Sequence, residues 1–178
     1  MSQPNRFPPD TADTADAADK AVEATRRWPG VVVAVVVTFA FAAIGTLATT
    51  SGLDPWYADL EKPSWTPPSW LFSPVWTALY IAMAVAAWRV WSAAGPRAWP
   101  ALVVYMVQLA LNAAWSVLFF GLENPAAAAV DIVALLLAIV ATMVMFARHD
   151  RVAVYLLVPY LLWTGFATAL NLSIWSLN

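Results

Sequence analysis

The chain has 178 residues, 62% of them hydrophobic and only 11% charged, where a soluble domain carries about 25% charged residues. So much apolar surface needs a solvent other than water, and a lipid bilayer is the one that fits. A net charge of −2 with no basic face argues against a nucleic-acid partner, and the absence of cysteine removes disulfides, thiolate catalysis and thiolate metal sites together. The single histidine, His149, sits among Arg148, Asp150 and Arg151, too few donors for a histidine metal cage. No metal and no cofactor are expected.

Residues 1–27 differ in kind from the rest. The stretch from Pro8 to Lys20 alternates Thr, Ala and Asp with almost nothing large to bury, the composition of a disordered, solvated tail. Arg26 and Arg27 ahead of an apolar run resemble a twin-arginine signal, but further apolar runs follow, so the first run reads more simply as a membrane anchor. A spanning helix needs about 20 mostly apolar residues, and five segments qualify: 31–50, 70–91, 98–120, 126–147 and 152–175. The expected fold is an all-α membrane protein, a five-transmembrane-helix bundle over residues 28–178. One connection, 51–69, is long; the other three are short and should hold consecutive helices antiparallel and adjacent. Asn124 and Pro125 supply a cap and a first helical residue for the fourth helix, and Gly95 and Pro96 break the second from the third.

Orientation follows from the basic residues. Arg6, Lys20, Arg26, Arg27, Arg89, Arg97, Arg148 and Arg151 fall on one side of this arrangement, and Lys62 alone on the other. Basic residues stay in the cytoplasm, which puts the N terminus inside the cell membrane and the long connection and C terminus outside. Depth then follows from a rise of about 1.5 Å per residue. Asn112 and Gln108 lie one turn apart in the outer half of the third helix, Asp131 lies in the fourth, and Asn171 lies near the outer end of the fifth. Polar groups are expensive in hydrocarbon and should face the bundle interior and bond to one another. The same residues could equally do no more than tie helices together.

Eleven tryptophans are the other unusual feature. Trp28, Trp88, Trp91 and Trp99 suit an interfacial belt at the inner side. Trp56, Trp65, Trp70 and Trp76 crowd the long connection and the start of the second helix, with Trp115 at similar depth and Trp163 near mid-membrane. A flat aromatic ligand would find stacking faces there, with few polar groups to orient it; a belt plus ordinary packing is the plainer alternative. The connection itself, rich in proline and aromatics, reads as a structured lid.

At this connection the sequence resembles the TspO family, the tryptophan-rich sensory proteins of bacteria and the translocator protein of mitochondria. The resemblance rests on WYADLEKPSWTPP at 56–68, PVWTALYIAM at 74–83, QLALNAAWSVLFFG at 108–121 and VPYLLWTGFATALN at 158–171. It implies a five-helix bundle, often a homodimer, that binds tetrapyrroles such as protoporphyrin IX in a pocket under the lid. The positions matching that pocket are Trp56, Trp65, Trp76, Asn112, Trp115, Trp163, Ala167 and Leu170, and Asp131 matches an acidic position in the fourth helix. Two departures stand out. Leu172 and Ser173 follow Asn171 where sterol-binding members carry a Tyr and then an Arg, which makes cholesterol a poor ligand, and Ala127 stands where some relatives have Trp. For the homodimer, Ala110 with Ala114 and Gly165 with Ala169 offer two rival small-residue seams.

The function this implies is a tetrapyrrole-binding sensor or regulator of tetrapyrrole metabolism. The alternatives are a transporter of porphyrins or other amphiphiles, and a light-dependent porphyrin-degrading protein, for which Trp76 and Trp163 match the implicated positions. Hydrolytic catalysis has no His or Cys partner to activate a nucleophile, so no catalytic residue is assigned. The charge asymmetry yields a direct test: reporter fusions after Arg97 and after Asn178 should report opposite sides of the membrane, and a cytoplasmic signal from both would sink the five-span topology.

Overall fold

A computed structural model describes the backbone of residues 11–52 and 56–178 and the side chains of residues 29–49 and 56–178. Among these residues all regular structure is helical. The helices are α1 (Thr11–Gly52), α2 (Phe72–Ala94), α3 (Trp99–Ser116), α4 (Pro125–Phe146) and α5 (Arg151–Leu177). Of the tail expected over 1–27, residues 1–10 lie outside the described part, and the backbone from Thr11 is helical and runs into the apolar stretch. Four helical runs have the length and composition of membrane spans: Pro29–Thr49, Ser69–Gly121, Pro125–Phe146 and Arg151–Leu177. The second of these holds both α2 and α3, broken by a tight turn at Gly95–Ala98.

The helix ends follow local chemistry. Asn124 accepts a hydrogen bond from the Ala127 amide at 2.9 Å, and Pro125 opens α4 without a wasted donor. Asp150 does the same for α5, accepting from the Val152 and Ala153 amides at 2.7 and 3.2 Å. Gly95 closes α2 at φ 52°, a left-handed conformation natural to glycine. Beyond α3 the chain widens into one π-helical turn, Val117–Gly121, in which the Leu122 amide bonds the Val117 carbonyl at 2.8 Å.

In cross-section the helices form a ring in the order α1, α2, α5, α4, α3 and back to α1. The short connections do place α3 beside α4 and α4 beside α5. They do not place α2 beside α3, which touch only sparsely. The reason is α1, which lies between them. Its Gly30 comes so close to α2 that an added Cβ would stand 2.8 Å from Trp91 Cδ1, and its Thr38 hydroxyl meets the Tyr105 hydroxyl of α3 at 2.6 Å. The inward stripe of α1 is Thr38, Ala42 and Gly45, one residue per turn. Most of its described side chains face outward, so that α1 is the most peripheral helix.

At the end carrying the short α2–α3 and α4–α5 connections, Arg89 of α2 pairs with Asp150 at 2.8 Å. Burial pushes the Asp150 carboxyl up, but the Ala153 amide, the Arg89 guanidinium and the Val152 amide together outweigh it and hold the group below the usual carboxylate range. A carboxyl depressed on folding contributes fully above its unfolded value of about 3.9, and the contribution is lost as pH falls through the lower folded value. Asp150→Asn keeps a capping oxygen, so thermal melts in detergent should show the loss of the pair and a flatter decline below about pH 4. Asp150→Ala should cost about 1 kcal/mol more through the lost cap; identical melts for the two variants would show that the cap carries nothing.

Candidate functional site beneath the loop

The middle of the ring, toward the loop end, is a chain of hydrogen bonds between side chains. Tyr80 of α2 donates to Asn112 Oδ1 at 2.6 Å, Asn112 Nδ2 donates to the Tyr160 hydroxyl at 3.3 Å, and Tyr160 of α5 donates to Gln108 Oε1 at 2.8 Å. Gln108 Nε2 points at the Met83 sulfur, 3.9 Å away. Gln108, Asn112 and Tyr160 are all buried, Tyr160 completely. One turn further along α3, Trp115 donates its indole N–H to Asn171 Oδ1 at 3.0 Å, and Asn171 Nδ2 donates to the Pro125 carbonyl at 2.8 Å. Gln108, Asn112 and Asn171 therefore do bond inside the bundle, and each fastens at least two helices.

Asp131 stands apart from this network. It is half-buried on α4, and its Oδ2 is buried with no protein partner.

Four of the tryptophans gather in two shells, and a fifth, Trp76, lies beside them. In one, Trp56 lies edge-on to Phe119 with centroids 5.6 Å apart, while Trp115 stacks on the same ring at 5.5 Å. The π-helical turn sets Phe119 and Phe120 side by side at 4.9 Å, so that Tyr57 of the loop reaches both. Leu170 joins this shell. In the other, Trp65 of the loop lies edge-on to Phe166 at 5.6 Å, Phe166 meets Trp163 at 5.5 Å, and Trp163 meets Phe72 at 5.7 Å. Trp76 stacks on Tyr80 and touches Tyr160 edge-on, which joins the aromatics to the hydrogen-bond chain. Ala167 is buried in the main core, and Trp76, Trp115 and Trp163 pack against that core. The Trp163 indole N–H is buried and has no protein acceptor.

The described part of the loop is held at several points; residues 53–55 lie outside it. Lys62 folds its ammonium onto the carbonyls of Tyr57, Ala58 and Leu60 at 2.6, 3.1 and 2.8 Å and lies 4.8 Å over the Tyr57 ring. The Glu61 amide donates to Asn178 Oδ1, and Asn178 Nδ2 returns a bond to the Glu61 carbonyl, both at 3.0 Å. Burial of Tyr57 raises its phenol above the ordinary value. The loop is thus a lid clasped to the end of α5.

Of the residues expected from the sequence, Trp56, Trp115 and Leu170 meet in one shell, and Trp65 and Trp163 in the other. Trp76 and Asn112 meet at the hydrogen-bond chain. Asp131 joins none of these. Tyr80, Tyr160, Phe72, Phe119 and Phe166 were missed, although their spacing carried a signal. Tyr80 lies four residues after Trp76, and Tyr160 and Phe166 lie three residues either side of Trp163, each on a shared helical face. A cavity of about 380 Å³ lies at the opposite end of the bundle, between α1, α2 and α3.

Known proteins match this chain over most of its length. A family model, the TspO/MBR family, matches residues 32–176. A tryptophan-rich protein TspO of Archaeoglobus fulgidus is 40% identical over 147 residues, covering 83% of this chain and 95% of its own. A tryptophan-rich sensory protein of Cereibacter sphaeroides is 43% identical over 140 residues, 77% of this chain and 87% of its own. The human translocator protein is 43% identical over 126 residues, 69% of this chain and 75% of its own.

The hydrogen-bond chain can be tested as a unit. In a double-mutant cycle of Tyr80→Phe and Asn112→Leu, unfolding in mixed micelles should give a coupling energy on the order of 1 kcal/mol, the upper range for such bonds in membranes. Strict additivity would mean that the bond contributes nothing.

Proposed function

The chain belongs to the TspO/MBR family, and on that premise we propose that it is a membrane sensor or regulator that binds a tetrapyrrole such as protoporphyrin IX beneath the loop. It sits in the bilayer as a five-span bundle with α2 and α3 as separate spans, its basic connections in the cytoplasm, and it pairs as a homodimer. The observation that carries the ligand reading is the buried indole N–H of Trp163, which has no protein acceptor and lies in a shell of aromatic rings. A buried donor without a partner costs about 1–3 kcal/mol, and a flat ligand with polar groups at its edge offsets that cost while its face stacks on the rings. Entry requires Trp65 to part from Phe166, and therefore the lid to lift. The names of the Cereibacter sphaeroides and human relatives speak of sensing and of translocation and specify no ligand. For pairing, Ala110 and Ala169 are exposed, and Gly165 has open space where a side chain would stand.

Removal of a stacking tryptophan should cost on the order of 1 kcal/mol beyond its lost area, a severalfold loss of affinity. Quenching of intrinsic fluorescence by protoporphyrin IX, corrected for inner-filter absorbance and checked for folding, should therefore weaken in Trp76→Phe and Trp163→Phe. Trp88→Phe, at the other end of α2, should bind as the parent does. In vesicles, binding without net pigment flux is expected of a sensor. Parental binding by the Trp76→Phe, Trp163→Phe double variant would place the ligand elsewhere.

A further inference from the structure

The cavity at the basic end is a partly open cleft between α1 and α3 with α2 behind it. Pro29, Gly30, Val33, Ala34 and Val37 line it from α1, Ala87 and Trp91 from α2, and Trp99, Leu102, Tyr105 and Met106 from α3. Its volume of about 380 Å³ falls at the small end of ligand sites. From Trp99 to Met106 it runs roughly 10 Å along the helix axis. Near this end α1 is held closely to its neighbours by Gly30 against Trp91 and by Thr38 against Tyr105. Between these contacts the small side chains of α1 leave the space open.

Three features define what fits. The lining is hydrocarbon and aromatic, and its one buried hydroxyl, on Tyr105, is already taken by Thr38. No charged residue lines it, and apart from that hydroxyl its polar side-chain atoms are the indole N–H groups of Trp91 and Trp99, so the occupant is chiefly apolar. Val33 and Trp99 are 60% and 57% exposed at its edges, open to the surrounding hydrocarbon. Arg97, two residues before the lining Trp99 in the turn between α2 and α3, is exposed and makes no ion pair among the described residues, whereas Arg89 is already neutralised by Asp150. Basic pockets between spans on this side of a membrane protein hold acidic headgroups.

We propose that the cleft between α1 and α3 is a binding site for one acyl chain of an acidic phospholipid whose headgroup is held at Arg97. A tetrapyrrole suits it poorly, because no lining residue is charged and could meet acidic groups at its edge. The site is separate from the pigment site beneath the lid, and its test uses no pigment.

The full chain is reconstituted in vesicles of equal phosphatidylglycerol and phosphatidylcholine, and co-purifying lipid is counted by native mass spectrometry. Phosphatidylglycerol should be retained over phosphatidylcholine by about fivefold, the worth of one arginine near an anionic headgroup. Arg97→Gln should bring that ratio close to one. Val33→Trp fills the cleft from an exposed position that folding tolerates, and Met106→Trp fills it from α3; each should lose bound lipid of both kinds while melting as the parent does. Equal retention of the two lipids by the parent overturns the headgroup assignment. Undiminished lipid in Val33→Trp overturns the cleft, and a change in oligomeric state alone would make this face a subunit contact instead.

Discussion

A polar group in hydrocarbon has no water to turn to, and Tyr160 shows how this bundle meets that constraint. Its hydroxyl lies in the middle of the ring with no exposure at all, accepting from Asn112 and donating to Gln108. Tyr80 completes the chain from α2. Three helices that do not all touch along their backbones are thereby joined through side chains at the centre. Lipid tails give helices no hydrophobic reason to associate, so packing and such bonds must do it. The positions of the tryptophans depend on this frame: Trp76 leans on Tyr80 and Tyr160, and Trp115 is fixed by Asn171.

The two ends of the bundle solve different problems. The loop end is filled, with rings edge to face and a lid whose lysine is occupied by its own carbonyls. The basic end is looser, because α1 approaches α2 closely only where a glycine permits it. A single peripheral helix therefore shapes both ends. Near the loop end Gly45 of α1 lies so close to Ser116 that a Cβ would stand 3.1 Å from its hydroxyl, and the helices close there.

Much of this was legible in the sequence. The apolar runs, the cap at Asn124 and the bonding of Gln108, Asn112 and Asn171 inside the bundle all follow from local chemistry and depth. Helix order did not, because chain connectivity favours α2 beside α3, while the insertion of α1 depends on side-chain sizes along a seam. Tyr80 and Tyr160 were overlooked because a tyrosine in an apolar run reads as bulk or as interface, and only the opposing Asn112 and Gln108 reveal it as a donor. The cleft was equally hidden: a space is defined by what three helices fail to fill. Asp131 was grouped with the other polar residues by depth, but depth says nothing of rotation about the helix axis.

The ring order also bears on how the molecule comes together. Chains emerge from the ribosome N-terminal end first, yet α5 sits between α2 and α4. Until it arrives the ring has a gap, and Asn112 and Gln108 lack the hydroxyl that links them. Early helices can gather, but their arrangement stays provisional. Helix α5 acts as a keystone, so commitment to the native bundle waits until it has been made, and a nascent chain stalled before Tyr160 leaves the amides of Asn112 and Gln108 without the group that joins them.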